Sequence, residues 1–378
     1  MTVTFFSNFL NHHQLPFCLE MYKILGDDFN FVATSKIGIE QLSLGYSDMS
    51  GKYPFLLDVN INENNFQKAL SLGYESDVVI IGSANEVFIK KRLKQNKLTF
   101  RYCERIFKKR KLKYLNPKSL YTIFSKHIKY RNKKLYILCA GAYVQKDFAF
   151  IKAYRNKMLK WGYFPENKIF NVKKLMDKKK NLVPKLLWVG RFIDWKHPEL
   201  AIELARLLHE NNYHFELSLI GRGDMEDNLL MLIRKYKLEN RVKILGSMSA
   251  EKVRAHMECA NIVVSTSDYK EGWGAVLNEA MNSGCSIVVS DAIGSVPFLV
   301  KHKKNGMIFK SQEIMSLYKC VTALLNDNEL QKTIGSNAYN TIDKLWNAKV
   351  VAKRFAKLAE EGLNDFRFLY KEGPLSKI

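Results

Sequence analysis

Two glutamates eight positions apart carry the strongest chemical signal in this sequence. Glu271 lies in a glycine-containing loop, and Glu279 follows two turns further on, within a predicted helix. The backbone N–H groups of Gly274, Ala275 and Val276 would stand at the start of that helix, a natural seat for a phosphate group. A helical carboxylate beside this seat can accept hydrogen bonds from two vicinal hydroxyls of a ribose, and a loop carboxylate can reach the hydroxyls of a sugar.

An ordinary surface carboxylate is the alternative explanation for Glu279. Its neighbours Leu277, Ala280 and Met281 are apolar, however. A carboxylate among apolar side chains needs polar partners, so the flanking residues favour a binding role.

Two cations follow another predicted strand. Gly190 and Arg191 come directly after Lys185–Val189, and Lys196 follows five positions later. Glycine lets the backbone turn closely, while an arginine fork and a lysine point charge can hold adjacent phosphates. A solvated basic loop would contain the same residue types, so both interpretations stay open for this segment.

Two further strand ends carry weaker signals. Gly221 and Gly223 form a G-x-G pair, but the third glycine of a dinucleotide fingerprint is missing, and a tight strand-to-helix turn explains the pair equally well. The exposed backbone of Ser247 and Met248, after Gly246, could pair with a flat polar ring such as a nucleobase.

All of these residues follow predicted strands in a repeating strand–helix pattern. Such alternation predicts βαβ units and parallel sheets, whose ligands bind outside the carboxyl ends of the strands. In the first half the pattern predicts strands over Val3–Phe6, Phe29–Ala33, Asp77–Ile81, Leu98–Tyr102 and Leu135–Ala140, with helices over His13–Leu25 and Phe148–Trp161. In the second half it predicts strands over Lys185–Val189, Phe215–Ile220, Val242–Leu245, Ile262–Ser265 and Ser286–Ser290, with helices over Pro198–Asn211, Met225–Tyr236, Ala250–Cys259 and Ala275–Ser283.

The length of 378 residues predicts two domains. The lysine-rich run Val172–Asn181 interrupts the alternation and predicts a linker. The predicted fold class is α/β, with two Rossmann-like, doubly wound domains facing a central cleft. The first domain is predicted over 1–170 and the second over 182–345, and residues 346–378 are predicted to contain a helix that crosses back to the N-terminal domain.

The net charge of +23 lies entirely in the first half of the chain. Residues 90–134 contain 18 basic side chains and one acid, and residues 152–180 contain ten basic side chains and two acids. The remaining residues are close to neutral. This excess suits a nucleic acid, an anionic membrane or a phosphorylated substrate.

The remaining composition narrows the class of protein. Six cysteines without a C-x-x-C pair indicate reduced thiols in a cytosolic protein and argue against zinc and disulfides. The segment Met1–Asn8 lacks the cationic start of a signal peptide, and no apolar run is long enough to span a membrane. We therefore expect a cytoplasmic protein, peripheral on the inner face of the membrane at most.

The second half resembles the donor-binding domain of the GT-B glycosyltransferases of family 4, the group 1 retaining enzymes. The resemblance covers about 170 residues, in the family's order. It consists of Leu187–Lys196 (their V-G-R…K-G stretch, with His197 in place of the usual glycine), Leu219–Gly223 (L-x-G-x-G), Val242–Gly246, Glu271–Glu279 (E-x7-E), Gly284–Ser290 and the closing helix Trp346–Phe355.

The resemblance implies a retaining glycosyltransferase that uses a UDP- or GDP-sugar. Its acceptor would be a glycan or a lipid-diphosphate-linked glycan of a cell-surface polysaccharide, presented at an anionic membrane surface by the basic half. By the same resemblance, Arg191 and Lys196 would hold the diphosphate, together with the amides of Ala275 and Val276. Glu279 would bind the ribose, and Glu271 would bind the donor sugar. The backbone near Ser247 and Met248 would bind the base. No Asp-x-Asp spacing occurs, so we expect no metal and no other cofactor.

The first half departs from the family's pattern. In place of the usual Gly-Gly loop it has Ser7–His13, whose Asn11, His12 and His13 would face the donor phosphates or the acceptor. A capping asparagine followed by two surface histidines is an equally good interpretation. Further candidates for the acceptor side are Ser83, Glu104 and Tyr143, each near the end of a predicted strand, although a local ion pair would also explain Glu104.

Three alternatives remain open at this point. A nucleotide-sugar 2-epimerase or a phosphorylase could use the same scaffold, although nothing marks the lysine that a phosphorylase needs for its covalent cofactor. A nucleic-acid-binding protein could use the basic half, but the phosphate and ribose elements lie in the neutral half. We therefore expect no nucleic-acid partner.

Overall fold

The computed structural model describes residues 1–39, 47–108, 116–180 and 182–378. The chain forms two compact units, one made of Met1–Glu166 and Trp346–Ile378, the other of Asn167–Leu345. The predicted second domain, 182–345, lies within the second unit, which begins earlier along the chain.

Each unit contains a parallel sheet. In the described part of the first unit the strands are β1 Val3–Ser7, β2 Phe29–Ala33, β3 Leu56–Asp58, β4 Val78–Ile81, β5 Thr99–Cys103, β6 Leu135–Ala140 and β7 Met158–Trp161, ordered β3-β2-β1-β4-β5-β6-β7. In the second unit they are β8 Lys185–Val189, β9 Glu216–Ile220, β10 Val242–Ile244, β11 Ile262–Ser265, β12 Ser286–Ser290 and β13 Met307–Phe309, ordered β10-β9-β8-β11-β12-β13. The two predicted parallel α/β sheets are confirmed.

Helices connect the strands of each sheet, as the alternating sequence pattern predicts. In chain order they are α1 Leu15–Leu25, α2 Glu63–Glu75, α3 Lys90–Lys94, α4 Pro117–Ile123, α5 Val144–Phe150, α6 Val172–Asp177, α7 Glu199–Glu210, α8 Glu226–Lys235, α9 Ala250–Cys259, α10 Ala275–Asn282, α11 Val296–Leu299, α12 Ile314–Leu325, α13 Asn328–Lys344 and α14 Ala348–Asn364. None of these helices, within the described ranges, has both the length and the apolar composition needed to cross a bilayer.

The strand order of the second unit explains why the candidate donor residues share one edge. β8 pairs with β9 on one side and with β11 on the other, so the direction in which the sheet is extended changes at β8. All ladders are parallel, and the segments after β8, β9, β11 and β12 therefore leave from the same edge. This change of direction is the place where open α/β sheets bind ligands.

The helix predicted over Phe148–Trp161 is wrong. α5 ends at Phe150, residues Lys152, Tyr154 and Asn156 have positive φ, and the chain then forms β7, which pairs with β6. The apolar side chains of this stretch are buried at the edge of the sheet rather than on a helix face. The sequence analysis also missed the short strands β3 and β13.

The linker predicted over Val172–Asn181 is part of the second unit. Its first six residues form α6, and the Nζ of buried Lys179 donates to the carbonyls of Met257 (2.8 Å) and Ala260 (2.6 Å). These contacts remove the charged group from solvent, so the lysine-rich run misled the prediction. Asn181 lies outside the described residues.

The C-terminal helix α14 belongs to the first unit, to which the chain returns at Trp346. Phe355 of α14 makes edge contacts with Phe17 of α1 (ring centroids 6.1 Å apart) and Phe100 of β5 (5.1 Å). Burial of this aromatic cluster holds the helix against the first unit.

Candidate functional site

The turns after β8 and β9 are joined by backbone hydrogen bonds that extend the strand ladder. Gly190 N donates to Ile220 O (3.0 Å), and Phe192 N donates to Arg222 O (2.9 Å). A Cβ at Gly221 would lie 1.8 Å from Gly190 O, and both Gly221 (φ 153°) and Gly223 (φ 155°) have positive φ. The G-x-G pair is thus required by close backbone packing, which supports the tight-turn interpretation.

Arg191 and Lys196 flank the same indole ring. The guanidinium carbon of Arg191 is 5.9 Å from the centroid of Trp195, and Lys196 Nζ is 4.9 Å from it. Both distances allow cation–π attraction. The two predicted phosphate-binding cations therefore lie at one place, with Arg191 exposed and Lys196 half-buried.

Lys196 forms an ion pair with Glu271, the loop member of the glutamate pair. The side chains are 16% and 13% exposed, and Ser267 Oγ lies 3.4 Å from the same carboxylate oxygen. Residues 75 positions apart in the chain are thus brought into contact. The Glu271 carboxylate, predicted to bind a sugar, therefore contacts the Lys196 ammonium, predicted to bind a diphosphate.

The loop after β11 fixes the position of Lys196. Thr266 Oγ1 accepts a hydrogen bond from the indole N–H of Trp188 (2.8 Å) and donates to the carbonyl of Lys196 (2.7 Å). Asp268 N donates to Trp195 O (2.9 Å). The sequence analysis missed both Thr266 and Asp268, because only the pairing of β8 with β11 brings their loop next to Lys196.

The loop of Glu271 is fixed by the turn after β12. Gly294 N donates to Glu271 O (3.1 Å), and Ser295 N donates to Trp273 O (3.2 Å). A Cβ at Gly294 would lie 1.8 Å from Gly272 O, so only glycine allows this approach. The loop is therefore held by its backbone, which leaves the Glu271 side chain for the ion pair.

The loop ends at Gly274, which begins α10 in the left-handed conformation (φ 85°). No side-chain hydrogen bond caps this helix, and Ala275 and Val276 at its start are partly exposed. The first-turn N–H groups of a helix lack intrahelical partners and attract anions. The phosphate seat at the start of α10 stays a prediction.

Glu279 lies two turns from Glu271, on α10, and its surroundings include a cation that the sequence analysis missed. Burial raises the pKa of Glu279, and the nearby guanidinium of Arg254 opposes that rise. Arg254, on α9, is buried, and its Nη2 donates to Asn282 Oδ1 (2.5 Å). In the sequence Arg254 resembles any other charged residue of a surface helix. Its burial, which distinguishes it, is visible only in the structure.

Ser247 and Met248 lie between β10 and α9. Gly221 N donates to Gly246 O (3.0 Å), which places this turn beside the one after β9. Ser247 is exposed and Met248 half-buried. These two residues are thus on the same edge of the sheet as Arg191.

Two acceptor-side candidates in the first unit lie in one cluster. The hydroxyl of Tyr163 donates to Glu104, which also pairs with Lys108. Tyr163 stacks on His13, with ring centroids 5.4 Å apart and 12° between the planes. The local ion pair considered for Glu104 is present, and neither Tyr163 nor Lys108 was singled out from the sequence.

The two adjacent histidines are in ring contact, with centroids 3.9 Å apart. Burial lowers the pKa of both, that of His13 to about 3, with charge repulsion from His12 as the smaller cause. His13 is therefore neutral at physiological pH. Asn11 Oδ1 accepts from the backbone N–H of His13 (3.0 Å) and Gln14 (3.2 Å), which is the capping role of the alternative interpretation.

The other two acceptor-side candidates lie elsewhere. Ser83 is exposed after β4. Tyr143 lies against Arg105 (guanidinium carbon 5.6 Å from the ring centroid) and Lys146 (Nζ 5.3 Å).

Comparison with known proteins agrees with this geometry. Residues 169–341 match the family model "Glycosyl transferases group 1". An uncharacterized glycosyltransferase of Methanocaldococcus jannaschii is 30% identical over 196 residues, which cover 51% of this chain and 48% of that protein. The putative colanic acid biosynthesis glycosyltransferase WcaL of Escherichia coli is 28% identical over 182 residues, 46% of this chain and 44% of the relative. The chain thus spans less than half the length of the curated relatives it matches.

The crystal structure of Anabaena Alr3699/HepE in complex with UDP aligns with a TM-score of 0.70 at 16% identity, covering 96% of this chain and 100% of that one. The two parallel sheets and this likeness define the GT-B fold. The resemblance noted in the sequence is confirmed for the second unit: residues 169–341 are similar to the group 1 glycosyltransferases.

Proposed function

We propose that this protein is a retaining glycosyltransferase that moves a sugar from a UDP- or GDP-sugar to a glycan or lipid-diphosphate-linked acceptor during synthesis of a cell-surface polysaccharide. The observation that carries the proposal is the ion pair of Lys196 with Glu271, beside Arg191 and on the edge of the sheet where α10 begins. The name of the Escherichia coli relative, a colanic acid biosynthesis glycosyltransferase, supports the polysaccharide context.

In this proposal Arg191 and Lys196 bind the two phosphates, with the amides of Ala275 and Val276. The diphosphate would replace Glu271 as the partner of Lys196 and so release that carboxylate to the hydroxyls of the donor sugar. The bond between the anomeric carbon and the β-phosphate oxygen breaks, and a bond from the acceptor oxygen forms. The acceptor hydroxyl loses its proton to the departing diphosphate or to solvent.

The positive groups act on the charge that grows on the departing diphosphate. Arg191, Lys196 and the start of α10 lie together before the donor binds, so the exchange of Glu271 for the diphosphate on Lys196 is the rearrangement needed to stabilise this charge. Charge-assisted hydrogen bonds contribute roughly 1.5–3 kcal/mol each, which is only part of the ~8–23 kcal/mol that enzymes commonly supply. Positioning of the two substrates supplies a further share. The proposed reaction needs no metal ion.

Glu279 would bind the ribose, and the turn at Ser247 and Met248 the base. Burial raises the pKa of Glu279, so this carboxylate holds its proton more tightly than an exposed one, and Arg254 favours the ionised form that accepts two hydroxyl hydrogen bonds. The acceptor would bind the first unit, where His13, Tyr163 and Glu104 offer aromatic surface and hydrogen-bonding groups together.

We further propose that the basic first unit docks on an anionic membrane surface. Three large side chains of one exposed segment support this proposal, namely Leu120, Tyr121 and Phe124, which are 47%, 72% and 52% exposed. Phe124 follows Tyr121 by three residues and Leu120 by four, and these spacings bring side chains together on a helix surface. The sequence from 105 to 146 contains no acid, so this apolar surface lies in a purely cationic segment.

A panel of UDP-, GDP- and ADP-sugars tests the proposal. We expect one of them to raise the thermal unfolding midpoint and to release its nucleoside diphosphate rapidly only when an acceptor glycan is present. Release of an epimerised nucleotide-sugar without acceptor would indicate an epimerase instead. Failure of every member of the panel to stabilise the protein would contradict a nucleotide-sugar site.

A further inference from the structure

His197 follows Lys196 directly and occupies a conformation that suits glycine. Its backbone has φ 49° and ψ 53°, in the left-handed region, at the end of the short 3-10 turn Asp194–Lys196. Residues with a Cβ adopt this region at an energetic cost, and glycine does not. Contacts of the His197 side chain can offset this cost.

The imidazole of His197 contacts three separate segments of the second unit. Nδ1 lies 2.8 Å from Glu199 Oε1, in the first turn of α7, and Nε2 lies 3.3 Å from the side-chain amide nitrogen of Gln312, after β13. An amide NH2 donates to an unprotonated Nε2, so protonation of the ring requires this amide to turn its oxygen toward Nε2. Nε2 is also 3.8 Å from Asp268 Oδ2, in the loop after β11. The ring therefore connects the Lys196 turn to the helix that follows it and to two neighbouring loops.

The charged groups around this ring are mostly carboxylates. The hydrogen bond to Glu199 raises the pKa of His197, Asp268 and Asp194 add to that effect, and burial opposes it. Glu199 Oε2 is buried and, among the described residues, has no hydrogen-bond partner, so the ring is the group that balances this carboxylate.

Two lysines complete the charged surroundings. Lys196 is the adjacent residue and is paired with Glu271. Lys270 Nζ lies 3.8 Å from Asp268 Oδ2 and 3.7 Å from Asp194 Oδ2, and so neutralises part of the negative charge that faces the ring. Glu199 is thus the carboxylate that depends most on His197.

We propose that His197 is a positioning residue which, as an imidazolium ion, ties the Asp194–Lys196 turn to Glu199 and Asp268 and so holds Lys196 where the donor diphosphate binds. This inference rests on the proposed function of Lys196. When the ring loses its proton, the two ionic contacts are lost and the negative charge of Glu199 and Asp268 faces the anionic donor. Donor binding therefore weakens as the pH rises through the raised pKa of His197. The rate of sugar transfer from donor that is already bound is little changed.

Calorimetric titration with UDP from about pH 6.5 to about pH 8.5 tests this inference. For the wild-type protein we expect the dissociation constant for UDP to rise about three- to tenfold, as expected for loss of partly buried ionic contacts. His197→Gly and His197→Asn suit the backbone conformation but do not titrate. Both should bind UDP with a small pH dependence, at the weaker affinity of the wild-type protein at high pH.

The matched control is His214→Asn, which removes an exposed histidine of the same unit and should behave like the wild-type protein. The phosphates of UDP titrate identically with every variant, so only the difference between variants reports on His197. Thermal unfolding is measured for both His197 variants to check that they are folded.

Wild-type pH dependence in a folded His197→Gly or His197→Asn protein would overturn the positioning role. In steady-state assays with the donor sugar, the substitutions should raise KM and leave kcat within about twofold, whereas an equal loss in kcat would contradict a binding effect. If UDP binds no variant at any pH, the proposed nucleotide site itself is wrong for UDP, and the inference fails with it.

Discussion

At the scale of single residues, Thr266 shows how a buried side chain positions a functional one. Its side chain is fully buried, and its hydroxyl accepts a hydrogen bond from the indole N–H of Trp188 and donates one to the carbonyl of Lys196. Trp188 is itself buried, in β8. Loss of this hydroxyl would leave two polar groups without their hydrogen bonds.

Thr266→Val keeps the shape of the side chain and removes both hydrogen bonds. Leaving a buried polar group unsatisfied costs about 1–3 kcal/mol, so we expect the free energy of unfolding in urea to fall by about that amount. The Lys196 turn should also loosen, with weaker UDP binding. Thr322→Val is the control, since that hydroxyl bonds only to carbonyls of its own helix. Unchanged stability and unchanged UDP affinity in Thr266→Val would contradict the anchoring role.

At the scale of elements, the proposed donor site consists of turns that follow four neighbouring parallel strands. These turns approach each other in two pairs, so closely that glycine is required at Gly221 in one pair and at Gly294 in the other, where a Cβ would lie 1.8 Å from a backbone oxygen. The pairing of the strands thus fixes the backbone, and the backbone fixes Arg191 and Glu271.

Gly221→Ala tests this close approach. The new methyl group would collide with Gly190 O and also force an L-residue to φ 153°. We expect the turns after β8 and β9 to separate, with a loss of about 2–4 kcal/mol in the free energy of unfolding and of UDP binding. The matched control is Gly26→Ala, which has positive φ (56°) but no atom within 4 Å of the new Cβ. Equal destabilisation by the two substitutions would show that conformational strain, not the collision, is decisive.

Glycines, cations and carboxylates after parallel strands carry local signals, so the sequence singles out Arg191, Lys196, Glu271 and the start of α10 as donor-side candidates. The structure brings these candidates to one edge of a sheet, and their role in donor binding stays a prediction. It does not predict Thr266, Asp268 or Arg254, whose roles depend on which strands and helices become neighbours.

The first unit shows where local patterns mislead. In Phe148–Trp161 the apolar spacing predicts a helix, but Met158–Trp161 pairs with β6 and forms the edge strand β7. Tyr163 and Lys108 gain their place beside Glu104 only through tertiary contacts, so the sequence gives them no distinguishing pattern.

At the scale of the whole molecule, the charge of +23 has more than one role. The guanidinium of Arg92 is fully buried and donates to the carbonyls of Gly73, Ser76, Asp77 and Leu98. Arg101 pairs with Glu86 through both guanidinium nitrogens, and Lys179 is buried. These cations support the fold rather than an anionic partner, so not all of the basic side chains counted in the sequence face solvent. Residues 109–115, also basic, lie outside the described part of the chain.

The proposed membrane contact predicts binding to vesicles that contain anionic lipid, at low salt. Each lysine or arginine near such a surface contributes about 1 kcal/mol, and salt screens the attraction. Tyr121→Ser with Phe124→Ser should reduce cosedimentation with the vesicles about tenfold, since it removes exposed aromatic area. Met315→Ser is the control, a substitution of another exposed apolar residue (51% exposed), in the part of the second unit (182–345) that is close to neutral. Absence of wild-type binding, or equal loss in the control, would contradict the proposed surface.

The most direct test of the donor site is turnover of the nucleotide-sugar selected by the panel, measured as release of nucleoside diphosphate with acceptor present. Arg191→Ala removes a cation from the proposed diphosphate site, and Glu279→Ala removes the proposed ribose ligand. We expect each to lower kcat/KM by about 100-fold or more, with thermal unfolding midpoints close to that of the wild-type protein. Arg206→Ala, which removes surface ion pairs on α7, should keep full activity. Wild-type turnover by folded Arg191→Ala and Glu279→Ala proteins would contradict the assignment of this site.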